Sequence, residues 1–452
     1  MEQLLENVAL RSARYLAAIQ ERAVAASPEA VARLATLRGP LPASPADAAD
    51  VLALLDDVGS PATMAMAGPR FFGFVIGGSL PVALAANWLA GAWDQNAAFD
   101  SVTPAVSTLE AVALDWLRDV LLLPAGCAGA FVTGATMANF SALVAARHSV
   151  LSARGWDVEA DGLFGAPPIT VVIGDEAHPT LIKALGLVGF GRNRLVRVPV
   201  DGQGRMRSEA LPPLTAATIV CAQAGNVNTG AFDPLAEIAT SVREAGAWLH
   251  VDGAFGLWAA AAPGRAHLLA GSELADSWAT DAHKWLNVPY DSGIAFVRDA
   301  DALRAGMAVT AEYLPAPSGV RNPSDFTPEL SRRARGVEVW AALRSLGRSG
   351  LEDLVERMCR HAARFAEGLA AAGYEILNDV VLNQVLVSFG EPAETERVIA
   401  AIQADGTCWC GGTVWQGRTA MRISVSSWAT RDEDVERSVA AILRAAAEDS
   451  GS

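Results

Sequence analysis

The chain has 452 residues, of which 51% are apolar and 19% are charged, and its formal net charge at pH 7 is -15. This length exceeds the size at which one hydrophobic core stops growing, so we expect at least two packed units. The acidic charge argues against nucleic acid or an anionic membrane as the main partner, because both require a basic face, and it favours a small molecule.

The N-terminal segment is predicted to form a helical arm over residues 1–67. Its first two dozen residues carry acids and place leucines at helical spacing, unlike a secretion signal. The apolar run at 80–93 is shorter than a bilayer requires, so we expect no membrane span. The five cysteines are scattered and odd in number, which indicates reduced thiols and a cytoplasmic protein.

Residues 68–305 are predicted to form a large α/β domain. Short apolar runs alternate there with segments at helical spacing, a pattern typical of a mostly parallel sheet covered by helices. In such a sheet, ligands bind beyond the carboxyl ends of the strands. The predicted strands are 169–173, 218–222, 247–251, 277–280 and 293–297.

Residues 306–452 are predicted to form a loop and a small α+β domain. The stretch 314–328 carries four prolines and one glycine, a composition typical of a long loop. Beyond it we expect a helix, strands within 380–389 and 420–428, and a closing amphipathic helix.

Lysine is rare in this chain. Lys183 and Lys284 are the only two, so 33 of the 35 basic residues are arginine. A lysine amine can lose its proton and attack a carbonyl carbon, whereas the arginine guanidinium cannot be deprotonated in a protein. We predict that Lys183 is an ordinary surface charge and that Lys284 is a reactive amine.

Three polar side chains, His178, Asp252 and Lys284, each follow a predicted strand. The turn at 133–136 precedes a helix, and backbone amides at a helix start bind anions. The chain therefore offers an imidazole, a carboxylate, an amine and a phosphate cradle at one edge of a sheet. Pyridoxal 5'-phosphate requires such a set, because its aldehyde, ring nitrogen and phosphate each need a partner.

Five motifs in chain order resemble those of the group II pyridoxal-phosphate-dependent amino-acid decarboxylases. The resemblance extends from about residue 68 to about residue 421 and implies the aspartate-aminotransferase fold, which is fold type I of pyridoxal-phosphate enzymes. It also implies removal of the α-carboxylate of an L-amino acid, and a homodimer with active sites near the subunit interface. The motifs are TGATMAN, DEAHPTLIKA, GNVNTGAFDP, HVDGAFG and DAHKWLNVPYDSG.

The resemblance also implies roles for individual residues. Lys284 would form the internal aldimine and later return a proton, Asp252 would pair with the ring nitrogen, and Ala254 would pack beneath the ring. His178 would stack on the ring, and Arg422 would meet the substrate carboxylate. Four residues would contact the phosphate: Gly134, Ala135, Thr136 and His283. No metal site is predicted.

Several of these assignments have a structural alternative. Asp252 and Thr136 could cap helices, His178 could satisfy a buried carbonyl, and Arg422 could form a structural ion pair. The segment FFGFVIGG at 71–78 either lines a substrate pocket, which would favour an aromatic or apolar amino acid, or packs in the core. An acidic amino acid is the alternative substrate class.

The chain departs from the family pattern in one loop. Many relatives carry a tyrosine before the arginine-rich helix, and loss of its hydroxyl is associated with oxidative deamination to an aldehyde. Here Phe326 is the only aromatic residue in 319–333, and Tyr313 lies earlier. Val227 also stands where relatives often have threonine. We predict decarboxylation, with aldehyde synthesis, carbon-carbon lysis, transamination or a non-catalytic binding or assembly role as alternatives.

Overall fold

A computed structural model of the protein describes residues 1–309 and 320–448. These residues form two compact units. The large unit comprises Gly77–Ala362 and Asn378–Gln384, and the small unit comprises Met1–Ile76, Ala363–Leu377 and the described residues from Val385 onward. The predicted boundaries after residues 67 and 305 stay predictions.

The helices and strands are numbered here in chain order. The α-helices are α1 (Glu2–Ala18), α2 (Pro28–Arg33), α3 (Ala48–Leu54), α4 (Ser60–Ala62), α5 (Pro81–Trp93), α6 (Pro104–Val120), α7 (Ala135–Ser152), α8 (Val158–Asp161), α9 (Pro179–Leu187), α10 (Leu235–Glu244), α11 (Ala300–Met307), α12 (Gly336–Ala371), α13 (Pro392–Asp405) and α14 (Asp432–Ala447). The strands are β1 (Ala128–Val132), β2 (Thr170–Gly174), β3 (Val196–Val198), β4 (Thr218–Gln223), β5 (Trp248–Asp252), β6 (Ser277–Asp281), β7 (Gly293–Val297), β8 (Glu375–Ile376), β9 (Gln384–Ser388), β10 (Gly411–Trp415) and β11 (Arg418–Ser424).

The large unit contains a seven-stranded mixed sheet in the order β1-β7-β6-β5-β4-β2-β3. Five neighbouring strands of this sheet, in the order β6-β5-β4-β2-β3, are parallel to one another. β7 is antiparallel to β6, and β1 is antiparallel to β7. The predicted class, a mostly parallel sheet covered by helices, is confirmed.

The five strands predicted from the sequence are present, with ends that differ by at most one residue. β5, β6 and β7 are buried along their whole length, and β7, with the sequence GIAFV, is a continuous run without a polar side chain. Within the large unit, β1 and β3 were not predicted from the sequence. β1 consists mainly of Ala and Gly, and β3 has only three residues, one of them Arg197, so neither carries a strong strand pattern.

Helix α7 lies in the core of the large unit. Its alanine-rich middle, including Ala142 and Ala146, packs in one buried cluster with Val171 and Ile173 of β2 and Ile219 of β4. Small side chains let the helix approach the sheet closely, so its first turn is held firmly beside the strand ends. No helix among the described residues is both long enough and apolar enough to cross a membrane.

The small unit contains a four-stranded sheet in the order β10-β11-β9-β8. Arg70 is buried in this unit, where it donates hydrogen bonds to the carbonyls of Gln20 and Thr407, each at 2.8 Å, and pairs with Asp434 at 3.1 Å. Arg70 therefore links the N-terminal segment to Thr407, which follows α13, and to Asp434 of α14. Removal of the buried Arg70 side chain would be costly, because the charge of Asp434 would lose its partner.

Candidate active site

The site lies at the edge of the large sheet where β5 and β6 end. Because β1 is antiparallel to β7 and β7 is antiparallel to β6, β1 runs in the direction of β6 and ends at the same edge. Gly293, the first residue of β7, pairs with both Val132 and Asp281. The start of α7, which follows β1, is thereby placed next to the residues that follow β6.

Asp281 joins the lysine to the start of α7. Its Oδ2 lies 3.0 Å from Lys284 Nζ, and its Oδ1 accepts a hydrogen bond from the Ala135 backbone amide at 2.6 Å. The side chain of Asp281 is 3% exposed and that of Lys284 is 20% exposed. A nearly buried carboxylate therefore holds the lysine amine beside a helix start, where the backbone amides favour negative charge.

His283 stands next to this pair. Its Nδ1 accepts a hydrogen bond from the Ser292 amide at 3.2 Å, and its Nε2 lies 3.6 Å from Asp281 Oδ2. Its ring stacks on Tyr290 with 4.2 Å between centroids. Burial lowers the pKa of His283, against the opposing effect of the Asp281 charge, so the imidazole is neutral near pH 7.

Two glycines keep the space around the helix start open. A Cβ on Gly293 would lie 2.4 Å from the Gly134 Cα, and a Cβ on Gly134 would lie 3.4 Å from the His283 ring and 3.6 Å from Asp281 Oδ1. Side chains at these positions would displace α7 or fill the gap between it and His283. The position of the helix start therefore depends on the absence of these side chains.

Asp252 is the last residue of β5 and is buried. Its Oδ2 accepts a hydrogen bond from Asn139 Nδ2 at 3.1 Å, and its Oδ1 accepts one from the Ala254 amide at 3.3 Å. Burial raises the pKa of Asp252, and the positive charge of Lys284 and the Asn139 hydrogen bond act in the opposite direction. A buried carboxyl whose pKa is shifted by burial and by a nearby charge is typical of functional sites.

Ala254 connects the segment after Asp252 to Asp281, because the Ala254 carbonyl accepts the Asp281 amide hydrogen at 2.9 Å. The large unit thus brings together the predicted residues Gly134, Ala135, Asp252, Ala254, His283 and Lys284. The alternative reading of Thr136 as a helix cap is wrong, because Gly134 occupies the cap position and Thr136 lies one residue inside α7.

His178 is half-buried and caps helix α9. Its Nδ1 lies 2.6 Å from Thr180 Oγ1 and accepts a hydrogen bond from the Thr180 amide at 3.3 Å. Both contacts involve the same ring nitrogen, Nδ1. The stacking of His178 on the cofactor ring stays a prediction. Lys183, in the same helix, is exposed, as predicted for a surface charge.

Arg422 belongs to the small unit, where it lies in β11 opposite Gly411 of β10. Burial lowers the pKa of its guanidinium. Its predicted contact with a substrate carboxylate stays a prediction. Tyr313 lies outside the described residues. Phe326 ends a 3₁₀ helix, and the Arg321 guanidinium lies 4.5 Å from the centre of its ring.

Several residues at this site were not predicted from the sequence. Asp281 lies three residues before Lys284, inside the motif that carried the resemblance, and Asn139 closes the TGATMAN motif. His250 lies 2.8 Å from the Asn139 oxygen. Asn139 and His250 are buried polar residues within an apolar helix and an apolar strand, and such residues usually have a specific hydrogen-bond partner.

The arrangement provides an amine, a buried carboxylate 2.6 Å from a helix-start amide, and a second buried carboxylate at the neighbouring strand end. Ser292 adds a buried hydroxyl that has no hydrogen-bond partner among the described residues. These groups can bind a ligand that carries a carbonyl carbon, an anionic group and a basic ring nitrogen.

A model of the pyridoxal-dependent decarboxylase conserved domain matches residues 37–390 of the chain. Tryptophan decarboxylase 1 of Oryza sativa subsp. japonica is 29% identical over 401 residues, which is 80% of this chain and 77% of that protein. The 4-hydroxyphenylacetaldehyde synthase of Rhodiola rosea is 30% identical over 288 residues, or 60% of this chain and 57% of that protein.

Solved structures also resemble this chain. The crystal structure of Oryza sativa TDC with PLP and tryptamine superposes with a TM-score of 0.92 at 24% identity, covering 99% of this chain and 97% of that one. At this identity, the likeness is evidence for the fold.

Proposed function

The chain belongs to the pyridoxal-dependent decarboxylase family, and on this premise we propose that it removes the α-carboxylate of an L-amino acid with pyridoxal 5'-phosphate bound at Lys284. The predicted family, fold type I architecture, cofactor and reaction class are confirmed. The roles of individual residues are our proposal. The observation that carries it is the placement of the Lys284 amine 3.0 Å from Asp281, whose other oxygen accepts the first amide of α7.

The residues present fit the cofactor. Gly134 and Ala135 form a helix N-terminus at which Asp281 already accepts the Ala135 amide, and a side chain at Gly134 would narrow the space beside His283. Ser292 donates its backbone amide hydrogen to His283, and its buried hydroxyl has no hydrogen-bond partner among the described residues. We assign the cofactor phosphate to this cradle, with Gly134, Ala135, Thr136 and His283 as its contacts.

When bound, pyridoxal phosphate supplies an electron sink for the electron pair left when a bond to the substrate α-carbon breaks. Asp252 would hold the proton on the ring nitrogen, Ala254 would support one ring face and His178 would stack on the other. Lys284 would bond the cofactor aldehyde and later deliver a proton from Nζ to the α-carbon. Arg422 would orient the substrate carboxylate.

In decarboxylation the bond from the α-carbon to the carboxylate breaks, carbon dioxide leaves, and a proton takes its place to give an amine. Decarboxylation coupled to oxidative deamination also releases carbon dioxide, but it consumes oxygen and water and yields an aldehyde, ammonia and hydrogen peroxide. It is the second candidate because the described loop segment at 320–328 has Phe326 and no tyrosine. One of the relatives is named an aldehyde synthase.

For the substrate we propose an amino acid with an aromatic or apolar side chain. In the small unit, the rings of Phe71 and Phe74 both stack near Trp409, at 5.0 and 6.0 Å between centroids, and Phe74 is 58% exposed. A Cβ on Gly73 would lie 2.2 Å from the Trp409 ring, so this aromatic group requires glycine between the two phenylalanines. Flat apolar surfaces of this kind bind aromatic side chains well.

We also propose a cytoplasmic homodimer with active sites near the subunit interface. The five cysteines are free and buried, which supports a reducing compartment. On α5, several large apolar side chains are exposed, which supports their burial by a second subunit. They are Val82, Trp88, Leu89 and Trp93. Light scattering coupled to size-exclusion chromatography would give the mass of a dimer if this is correct and of a 47.1 kDa monomer if it is not.

The reaction is tested by incubating the cofactor-loaded protein with tryptophan, tyrosine, phenylalanine, glutamate and 2,4-diaminobutyrate. We expect stoichiometric carbon dioxide and amine from at least one aromatic substrate. Aldehyde with ammonia would establish the synthase reaction instead, and a keto acid would establish transamination. A protein that binds the cofactor but changes none of the substrates would support a binding or assembly role.

A further inference from the structure

A continuous row of buried side chains leads away from Asp252 through the large unit. Trp248 Nε1 donates to Ser277 Oγ at 2.9 Å, and Ser277 Oγ lies 2.9 Å from His250 Nδ1. His250 Nε2 lies 2.8 Å from Asn139 Oδ1, and Asn139 Nδ2 donates to Asp252 Oδ2 at 3.1 Å. All five residues are buried.

With the Asn139 oxygen facing His250 Nε2, one arrangement satisfies every donor and acceptor in this row. An indole N–H only donates, so Ser277 accepts it, and the Ser277 hydroxyl hydrogen is then available to His250 Nδ1. Burial lowers the pKa of His250 to about 3, so the imidazole is neutral. A neutral imidazole that accepts at Nδ1 carries its hydrogen on Nε2, and Nε2 must then donate to the Asn139 oxygen. The Asn139 amide nitrogen is left facing Asp252.

The orientation of the Asn139 amide matters because Asp252 is buried. Burial raises the pKa of this carboxyl, and the Asn139 hydrogen bond favours its charged form. Among the described residues, Asp252 accepts one side-chain hydrogen bond, from Asn139, and one backbone hydrogen bond, from the Ala254 amide. A reversed amide would instead point its oxygen at the carboxylate and disfavour the charge.

We propose that His250 is a positioning residue for Asp252, whose neutral imidazole holds the Asn139 amide in the orientation that donates to the carboxylate. The inference rests on the proposed function, in which Asp252 pairs with the ring nitrogen of the cofactor. His250 acts through Asn139 and contacts neither cofactor nor substrate. It therefore controls how strongly Asp252 keeps the ring nitrogen protonated.

The test uses cofactor-loaded protein prepared with pyridoxal phosphate labelled with ¹⁵N in the ring. Solid-state ¹⁵N NMR reports whether the ring nitrogen is protonated, and titration gives the cofactor dissociation constant. The variants are His250→Leu, which removes both polar contacts, and His250→Gln, which keeps one donor and one acceptor. His361→Leu, at another buried histidine on α12, controls for the general cost of losing an imidazole.

We expect His250→Leu to shift the ring ¹⁵N signal towards the unprotonated form and to weaken cofactor binding about 10-fold or more. His250→Gln should restore binding to within about 3-fold of the wild type, and His361→Leu should leave the ¹⁵N signal unchanged. An unchanged signal in His250→Leu, or equal behaviour of the Gln and Leu variants, would overturn the proposal. If His250→Leu does not fold, Ser277→Ala and Asn139→Leu must produce the same signal shift.

Borohydride reduction of the same samples separates the two levels of inference. An adduct at Lys284 in wild type and His250→Leu, with no difference in the ¹⁵N signal, overturns only the positioning role. Failure of the wild type to form an adduct at Lys284 overturns the proposed function and the positioning role together.

Discussion

The carboxylate of Asp281 lies 3.0 Å from the amine of Lys284, and both side chains are largely shielded from water. This pair connects the residues after β6 to the start of α7, because the second Asp281 oxygen accepts the Ala135 amide hydrogen. The pair therefore has a structural consequence that can be measured without any cofactor.

We expect Asp281→Asn to lower the free energy of unfolding of the cofactor-free protein by about 1–3 kcal/mol, because it leaves a shielded ammonium without its counter-charge. Urea denaturation gives this value. The control is Asp353→Asn, which removes an exposed helix pair with Arg357 at 3.7 Å. It should cost less than about 0.5 kcal/mol. Equal losses for the two variants would contradict the role of Asp281.

Gly293 packs closely against Gly134 at the site. Gly293→Ala would place a Cβ 2.4 Å from backbone, so we expect about 1–3 kcal/mol of destabilisation, measured by urea denaturation, together with weaker cofactor binding. Gly202→Ala is the matched control, because its Cβ would meet nothing within 4 Å. A Gly293→Ala protein as stable as Gly202→Ala would show that the start of α7 moves without cost.

Asp252→Asn tests the role proposed for this carboxylate. An amide of the same shape cannot hold a proton on the ring nitrogen as a carboxylate does, so we expect decarboxylation to slow by about 100-fold or more. The lysine adduct should still form. Asp276→Asn, which changes a half-buried carboxylate just before β6, should leave the rate unchanged. Wild-type turnover by Asp252→Asn would remove Asp252 from the mechanism.

The neutral state of His250 has a consequence for stability against pH. Its folded-state pKa of about 3 lies below the ordinary value of 6.5, so its stabilising contribution is present above pH 6.5 and is lost as the pH falls towards 3. We expect the stability difference between wild type and His250→Gln to shrink by about 1.4 kcal/mol for each pH unit in that range.

Urea denaturation at several pH values between 7.5 and 4 measures this difference. Asp233, whose pKa is raised to about 6 by burial, and Asp252 change stability in the opposite direction in the same range. Both carboxyls are present in the two proteins, and the glutamine of His250→Gln keeps one donor and one acceptor beside Asn139, so their effects cancel in the comparison. A difference that does not vary with pH would mean that His250 is not held neutral.

Much of the site could be predicted from the sequence because its residues follow strong local patterns. Lys284 is one of two lysines, and Asp252 ends a fully buried strand. Asp281 was not predicted, because an aspartate three residues before a lysine is usually a solvated pair. Its importance comes from β1 and β7, whose antiparallel pairing brings the Ala135 amide to it.

Asn139 and His250 could not be assigned from the sequence for a similar reason. Each lies within an apolar element, and only the packing of α7 against β5 places their side chains 2.8 Å apart. The composition of the small unit could not be predicted either, because α1 shares this unit with α13 and α14, which are distant in sequence. Sequence patterns predict elements well, whereas contacts between distant elements depend on tertiary packing.

The most direct test of the central claim is borohydride reduction of the protein loaded with pyridoxal phosphate, followed by peptide mapping. Because Lys183 and Lys284 are the only lysines, the site of the adduct is unambiguous, and Lys183→Arg and Lys284→Arg are matched controls. We expect one pyridoxyl group on Lys284, retained in Lys183→Arg and lost in Lys284→Arg. An adduct on Lys183, or none on either lysine, would contradict the account.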